Sequence, residues 1–195
     1  MKPIFHGIKV ILISHAIFWL AFDLLAPLMS IYFITKLEGV TLTEVGIGTM
    51  IYFLSWGLIE PMIGLLADKI KGFKDEVFFI VFGYIARGVV FMFFPLASSA
   101  WGLYMFQFAL GSLRAIAEPS NRVLYAKFMG RKQSAALWGL GDSTVTIAAA
   151  IGAGLGGYFV TSFGFAPVFK FVSVMYLVAG AVNLFMLKDV RKLKE

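Results

Sequence analysis

Six long apolar stretches, separated by short polar breaks, constrain the fold of this 195-residue chain more than any other feature. Each is long enough to cross the hydrocarbon core of a bilayer as a helix, which takes about 20 apolar residues. Only 14% of the residues are charged, whereas soluble domains carry about 25%. The sequence therefore predicts an all-α polytopic membrane protein whose helices one to six span roughly residues 9–34, 43–67, 76–97, 101–121, 133–161 and 166–187.

The basic residues between these stretches predict how the chain crosses the membrane. If both termini lie in the cytoplasm, nearly every Lys and Arg of the connecting segments is cytoplasmic, and Lys36 is the exception in an outer loop. Helix one is too long for a signal-peptide core and contains Asp23 and Pro27, so we expect it to be retained. The sequence predicts an integral protein of the plasma (inner) membrane with both termini cytoplasmic. Its net charge of +6 then reflects topology, and no nucleic-acid partner is expected.

The two halves of the chain share a spacing that predicts an internal repeat. Four pairs of identical residues lie 93 positions apart (139 − 46, for example): Gly46 and Gly139, Gly48 and Gly141, Gly64 and Gly157, Tyr32 and Tyr125. This offset spans three helices, an odd number, so the two copies must have opposite orientations in the membrane. We expect a single six-helix domain built as a 3+3 inverted repeat, with repeat one at about 1–97 and repeat two at about 98–195.

A charged, glycine-containing turn follows helix two. Residues 64–74 read Gly-Leu-Leu-Ala-Asp-Lys-Ile-Lys-Gly-Phe-Lys. This turn resembles the Gly-x-Leu-Ala-Asp-Arg-x-Gly-Arg-Lys signature between the second and third helices of major facilitator superfamily transporters, with Lys69 in place of Arg and the second Gly one residue late. The resemblance implies a cytoplasmic gating loop made by Gly64, Asp68, Lys69, Gly72 and Lys74.

A glycine run lies in helix five, at residues 152–157. It is similar to the Gly-Pro-x-x-Gly-Gly motif of the same family, with Ala153 in place of Pro. Small residues let membrane helices approach closely, so we expect a packing or interface surface at Gly152, Gly154, Gly156 and Gly157. The run also spells the G-x-G-x-x-G dinucleotide fingerprint, but that motif requires a preceding strand, which an apolar membrane stretch does not supply.

The sequence offers little support for enzyme chemistry. It contains no cysteine, and its two histidines do not form a metal-ligating pattern. It also lacks a phosphate-binding loop and a convincing arrangement of nucleophile and base. We therefore predict that the protein is not an enzyme and uses no cofactor or metal.

Charged residues at membrane depth are the strongest candidates for function. Each costs about 2.5 to 3.5 kcal/mol at a helix centre on insertion scales, so we expect them to face a watery cavity or one another. They are Asp23, Glu60, Arg87, Arg114, Glu118 and Asp142.

Two groups of these charges are expected to have different roles. The resemblance implies that helices one and four line a central cavity, so Asp23 and Arg114 are predicted to bind the substrate; the alternative is a structural ion pair. Asp23 or Glu118 is predicted to couple transport to protons, and Glu118 is also given a gating or packing role. His15 is predicted to take part in a proton relay, although a packed neutral imidazole is an equal alternative. Glu60, Arg87 and Asp142 are predicted to form a buried charge network with a gating or packing role, in which Arg87 pairs with an acid.

Transporters of this family contain two six-helix halves around one cavity, whereas this chain supplies one half. The resemblance therefore implies secondary active transport of a small molecule or ion by alternating access, with a second copy as the missing half. We expect a parallel homodimer in the lipid bilayer, with helix two of each chain against helix five of the other. Two alternatives stay open: the N-terminal half of a longer transporter, since residues 188–195 resemble the start of the family's central linker, or a non-transporting scaffold.

Overall fold

The computed structural model describes residues 4–70, 72–130 and 135–193, and these residues form six long helices. Helices two to five occupy Leu42–Ala67, Lys74–Phe93 with a 3-10 extension at Phe94–Leu96, Ala100–Met129, and Ala135–Phe163. Helix one consists of Phe5–Leu25, a 3-10 turn at Ala26–Leu28, and Met29–Lys36. Helix six consists of Phe165–Asn183, a 3-10 turn at Leu184–Met186, and Leu187–Val190. Within the described ranges there is no strand beyond an isolated bridge between Glu38 and Ser99, which confirms the all-α prediction.

Local sequence explains where several of these helices begin and break. Thr41 caps helix two: its hydroxyl accepts a hydrogen bond from the Thr43 amide at 3.2 Å, and the Glu44 carboxylate accepts one from the Thr41 amide at 2.8 Å. Pro27 lies in the 3-10 turn that interrupts helix one, because proline cannot donate the backbone hydrogen bond of a continuous helix. Gly164, with φ +81°, makes the one-residue turn between helices five and six.

Helix four is longer than predicted. Its hydropathic stretch ends near residue 121, but the helix continues to Met129. Apolar composition marks where lipid ends, whereas the helix ends where backbone hydrogen bonding ends, at the positive-φ Gly130. Arg122 and Lys127 therefore lie on helix four and not in a loop.

The helices pack as a front row of four with two helices behind. Helix four lies between helices two and one, and helix five packs on the other side of helix one, so the row runs two, four, one, five. Helices three and six pack against each other behind this row and against helices four and one respectively. Five of the six helices are long and apolar enough to cross a membrane; helix four, with its charges, falls outside that group. The chain is an integral membrane protein.

The ends of the front row are the most exposed parts of the bundle. In the most apolar 18-residue stretch of each helix, only 6% of the residues are buried in helix two and 17% in helix five, against 44% in helices three and six. Large apolar side chains such as Leu58 and Met62 on helix two and Ile147 and Tyr158 on helix five are exposed. The core lies instead between helices one, three, four and six, where Phe91, Phe169 and Tyr176 are buried.

A polar clasp joins the first and last helices at one end of the bundle. The buried Asp189 carboxylate accepts hydrogen bonds from the His6 imidazole and from the Lys192 ammonium, the latter at 2.8 Å. Beside it, the Ile4 amide donates to the Phe128 carbonyl oxygen at 2.8 Å. Helix one is thus fastened to helices six and four near its first residue.

Substitution of Asp189 should loosen this clasp. We expect Asp189→Asn to destabilise the protein by about 1–3 kcal/mol, because the amide has no negative charge and a single acceptor oxygen at this buried site. The thermal unfolding midpoint in detergent would fall by about 3–8 °C. The neighbouring Lys188→Gln is the control, since Lys188 is exposed; equal midpoints for both variants would contradict a stabilising clasp.

Candidate functional site

Arg114 lies at the centre of the front row, on helix four. Its Nη1 atom donates a hydrogen bond to the Tyr52 hydroxyl at 2.9 Å. Its guanidinium carbon is 3.8 Å from the centroid of the Trp56 ring and 5.7 Å from that of the Trp19 ring. Arg114 is half-buried, so three aromatic side chains from helices one and two hold a cation that remains partly accessible. We call the side of the front row that is turned away from helices three and six the front face.

A glycine brings helix two close enough to supply those rings. Gly111, one turn before Arg114, is buried against helix two, and a Cβ atom placed there would lie 2.3 Å from the Tyr52 carbonyl oxygen. Only glycine allows this close approach. Gly111 therefore determines where Tyr52 and Trp56 meet the guanidinium of Arg114.

Asp23 lies one helical turn from Trp19 on helix one and is half-buried. It forms no ion pair with Arg114: within the described part of the chain, no carboxylate oxygen lies within 4.0 Å of the Arg114 guanidinium. The structural ion pair considered as the alternative role is thus absent from this conformation. Neither Asp23 nor Arg114 has an ion-pair partner within that distance among the residues that the structure describes.

Glu118 and Glu60 share one arginine. Arg122 Nη1 is 3.2 Å from Glu60 Oε1, and Arg122 Nη2 is 3.6 Å from Glu118 Oε1. This bridge joins helix two to helix four about two turns from Arg114. Sequence reasoning placed Arg122 outside the membrane helices and so missed it; its spacing of four residues from Glu118 is the signal that could have found it.

His15 and Glu118 line a second part of the front face, a cleft of about 270 Å³ between helices one, four and five. Asn121, Arg122 and Tyr125 of helix four and Asp142 of helix five also line it. Asp142 is exposed and lines the same cleft as Arg122, the arginine that forms an ion pair with Glu60 of helix two. Among the described residues, Glu60, Arg87 and Asp142 form no ion pair with one another: Arg122 contacts Glu60 and lines the cleft with Asp142, and Arg87 does not line that cleft.

Arg87 of helix three is surrounded by aromatic rings. Its guanidinium carbon lies 5.0 Å from the Phe18 ring centroid and 5.7 Å from those of Phe22 and Tyr176. No carboxylate of the described residues lies within 4.0 Å of it, so the expected acid partner is absent. The spacing of Phe18 and Phe22, four residues apart on helix one, was the available signal for this cage.

The expected gating loop lies at the end of helix two. Asp68, Lys69 and Lys74 are exposed, and Gly72 has φ +97°, a backbone conformation that favours glycine. Gly64, Asp68 and Gly72 line a cavity of about 480 Å³ together with residues of helices three and four. The loop's gating role stays a prediction.

The glycine run of helix five divides between two surfaces. Gly152 and Gly156 are buried against helix one, where an added Cβ would lie 2.4 Å from the Leu20 carbonyl oxygen and 2.1 Å from that of Leu24. Gly154 and Gly157 are exposed, with no atom within 4 Å of an added Cβ. The run thus serves packing inside the chain on one side and presents small residues outward on the other.

Comparison with known proteins agrees with this architecture. The family model for the Major Facilitator Superfamily matches residues 11–195. The chain is similar to the "Multidrug resistance protein MdtG" of Dickeya zeae, with 30% identity over 175 residues, 87% of this chain and 41% of that protein. It is also similar to the "Uncharacterized MFS-type transporter MJ1560" of Methanocaldococcus jannaschii, with 26% identity over 85% of this chain and 42% of that protein.

A shorter relative is matched over most of its own length. The "Uncharacterized MFS-type transporter YitZ" of Bacillus subtilis is 25% identical over 146 residues, 75% of this chain and 87% of that protein. The chain spans about two fifths of the other two relatives. Because the family model covers nearly the whole sequence, this chain belongs to the major facilitator superfamily of membrane transporters.

Proposed function

We propose that the protein is a secondary active transporter that moves a small solute by alternating access, with the solute bound on the front face beside Asp23 and Arg114. One observation carries this proposal: both charges lie at membrane depth, half-buried, without an ion pair within 4.0 Å among the described residues. Such charges are costly in a bilayer unless water or a ligand solvates them. A substrate site at the membrane centre gives both a role.

Proton coupling is the second part of the proposal. His15 and Glu118 line one cleft, so a proton can pass between two titratable groups there without crossing lipid. Glu118 is also 3.6 Å from Arg122, which ties its charge to the Glu60 bridge. We propose that protonation of Glu118 loosens this bridge as the two halves rock.

We propose that the domain is a 3+3 inverted repeat. The packing of the helices supports it. Helix two packs on helix four as helix five packs on helix one, and helix three packs on helix four as helix six packs on helix one. Helices three and six, which correspond to each other in the two repeats, pack together. Exchanging helices one, two and three for four, five and six therefore preserves the pattern. The proposed orientation, with both termini in the cytoplasm of the plasma (inner) membrane, follows from the basic residues.

We propose that two copies form the working transporter as a parallel homodimer. Support comes from the exposed apolar faces of helices two and five, and from the fact that the chain spans about two fifths of two longer relatives. A second copy related by an axis along the membrane normal would cover the front face. In the alternative of a longer natural protein, a matching half would cover the same face.

Transport is tested by recording charge movement across a solid-supported membrane after concentration jumps of organic acids, amines and sugars. We expect at least one class to give a saturable current in the wild type. The current should fall about tenfold or more in both Asp23→Asn and Arg114→Gln, because each removes a charged contact. Lys170→Gln is the control, since Lys170 is exposed on helix six, behind the front row. Currents that persist unchanged in both site variants would remove these residues from the mechanism.

A further inference from the structure

Two arginines from different helices border one small gap. Arg87 of helix three and Arg114 of helix four line a space of about 10 Å³, enclosed by Phe18, Trp19, Phe22, Tyr52 and Glu118. That volume suffices for about one water molecule. Two guanidinium groups at the same void repel each other unless a negative charge lies between them.

Arg87 has the greater need of a hydrogen-bond acceptor because its side chain is almost completely buried. It is 2% exposed, and its Nε atom is buried without a hydrogen-bond partner. The rings of Phe18, Phe22 and Tyr176 attract the cation but leave that N–H unpaired. A buried and unpaired N–H donor is unfavourable, and the Nε–H group of Arg87 is such a donor in this conformation.

The acidic side chains near the gap form no ion pair with Arg87 or Arg114 within 4.0 Å. Glu118 borders the gap, but its nearest cation is Arg122, which also contacts Glu60. Asp23 forms no ion pair with either arginine within 4.0 Å and is half-buried. Among the described residues, no carboxylate therefore lies within 4.0 Å of either guanidinium group, although Glu118 borders the gap.

An apolar groove adjoins the gap. It has a volume of about 220 Å³ and shares Phe22 and Tyr52 with the gap. Leu25, Phe53 and Leu110 contribute to its apolar walls. For comparison, an engineered apolar cavity of about 150 Å³ holds benzene. The groove thus has room for one ring-sized apolar group beside the gap that the two arginines border.

We propose that Arg87 and Arg114 together bind the carboxylate of an amphipathic organic anion, whose apolar body occupies the adjoining groove. This proposal rests on the proposed transport function and names the substrate class of its site. Arg87, predicted from sequence only as part of a structural network, becomes a binding residue. Phe22 and Tyr52 are the side chains whose movement admits the carboxylate to the gap.

Binding can be measured without transport, by tryptophan fluorescence of the purified protein in maltoside detergent. Trp19 and Trp56 flank Arg114 and so report on a ligand at its guanidinium. Three probes share one phenyl ring and differ in charge: 4-phenylbutyrate, phenethylammonium and 2-phenylethanol. We expect a saturable signal with phenylbutyrate and none with the other two at equal concentration.

Variants assign the signal to the arginine pair. We expect Arg87→Gln and Arg114→Gln each to weaken phenylbutyrate binding about tenfold or more, because each removes a positive charge from the carboxylate site. Lys170→Gln should bind as the wild type does. If Arg87→Gln does not fold, Arg87→Lys keeps the charge but not the planar fork, and intermediate binding is expected.

Three results would overturn the proposal. The first is binding of phenethylammonium as tight as that of phenylbutyrate, and the second is wild-type affinity in folded Arg87→Gln. The third is displacement of phenylbutyrate by phosphatidylglycerol at a concentration lower than that of phenylbutyrate. The last would assign the arginines to a lipid headgroup. Failure here is distinguishable from failure of the transport proposal. Currents with other solutes and no phenylbutyrate binding would reject only the substrate class, whereas binding without any current would reject transport and retain the site.

Discussion

Gly156→Ala should lower the thermal unfolding midpoint of the purified protein by about 5–10 °C, although a single methyl group is added. The new Cβ would lie 2.1 Å from the Leu24 carbonyl oxygen and 2.9 Å from its carbonyl carbon, both backbone atoms of helix one. Backbone cannot rotate away as a flexible side chain can. Helices one and five must therefore separate along one of the longest contacts in the front row.

Gly154→Ala is the matched control on the same helix. No atom lies within 4 Å of a Cβ at position 154, and alanine favours a helix over glycine by about 1 kcal/mol in soluble hosts. Its midpoint should therefore equal or exceed that of the wild type. Equal midpoints for Gly154→Ala and Gly156→Ala would mean that helix five does not contact helix one as described.

Oxidation of the double variant Gly57→Cys/Ala150→Cys in membranes should give a covalent species of twice 21.5 kDa. The native chain contains no cysteine, so these would be its only thiols. Helices two and five lie at opposite ends of the front row, about 25–30 Å apart if neighbouring axes are 8–10 Å apart. A disulfide requires Cα atoms within about 7 Å, so the bond can form only between chains.

The control also carries two thiols, but only the one on helix two is kept and the other is moved to a different face. In Gly57→Cys/Val178→Cys the second cysteine is exposed on helix six, behind the front row, and should remain monomeric under the same oxidation. A monomer in both variants would contradict the homodimer and favour a matching half in a longer chain. Equal amounts of disulfide-linked dimer in both variants would indicate that the thiols react by random collision.

Hydropathy predicted the helices well because the bilayer imposes one simple demand: backbone polar groups in lipid must be satisfied within a helix. It placed the end of helix four about two turns early, since it reads lipid exposure and not backbone hydrogen bonding. Arg122, beyond that predicted end, consequently escaped notice as the partner of Glu60 and Glu118.

The candidate site was predicted only as a set of costly residues. Asp23, Arg114, Glu118 and His15 stand out in sequence because each is polar in an apolar stretch, but cost does not reveal contacts. Pairing depends on helix rotation and on close approaches such as that of Gly111 to Tyr52, which involve residues 59 positions apart (111 − 52). Thus Arg114 meets tryptophan rings and not the carboxylate of Asp23.

The sequence by itself determined that this chain is a bundle of membrane helices, because the solvation of apolar stretches is a local property that each segment carries alone. Its resemblance to the major facilitator superfamily lay in the motifs at residues 64–74 and 152–157. Tertiary structure alone decided which glycines pack inward, which acids share Arg122, and that Arg87 and Arg114 border one gap without a bridging carboxylate. Those relations arise from the rotation and spacing of helices distant in the chain, which no single segment specifies.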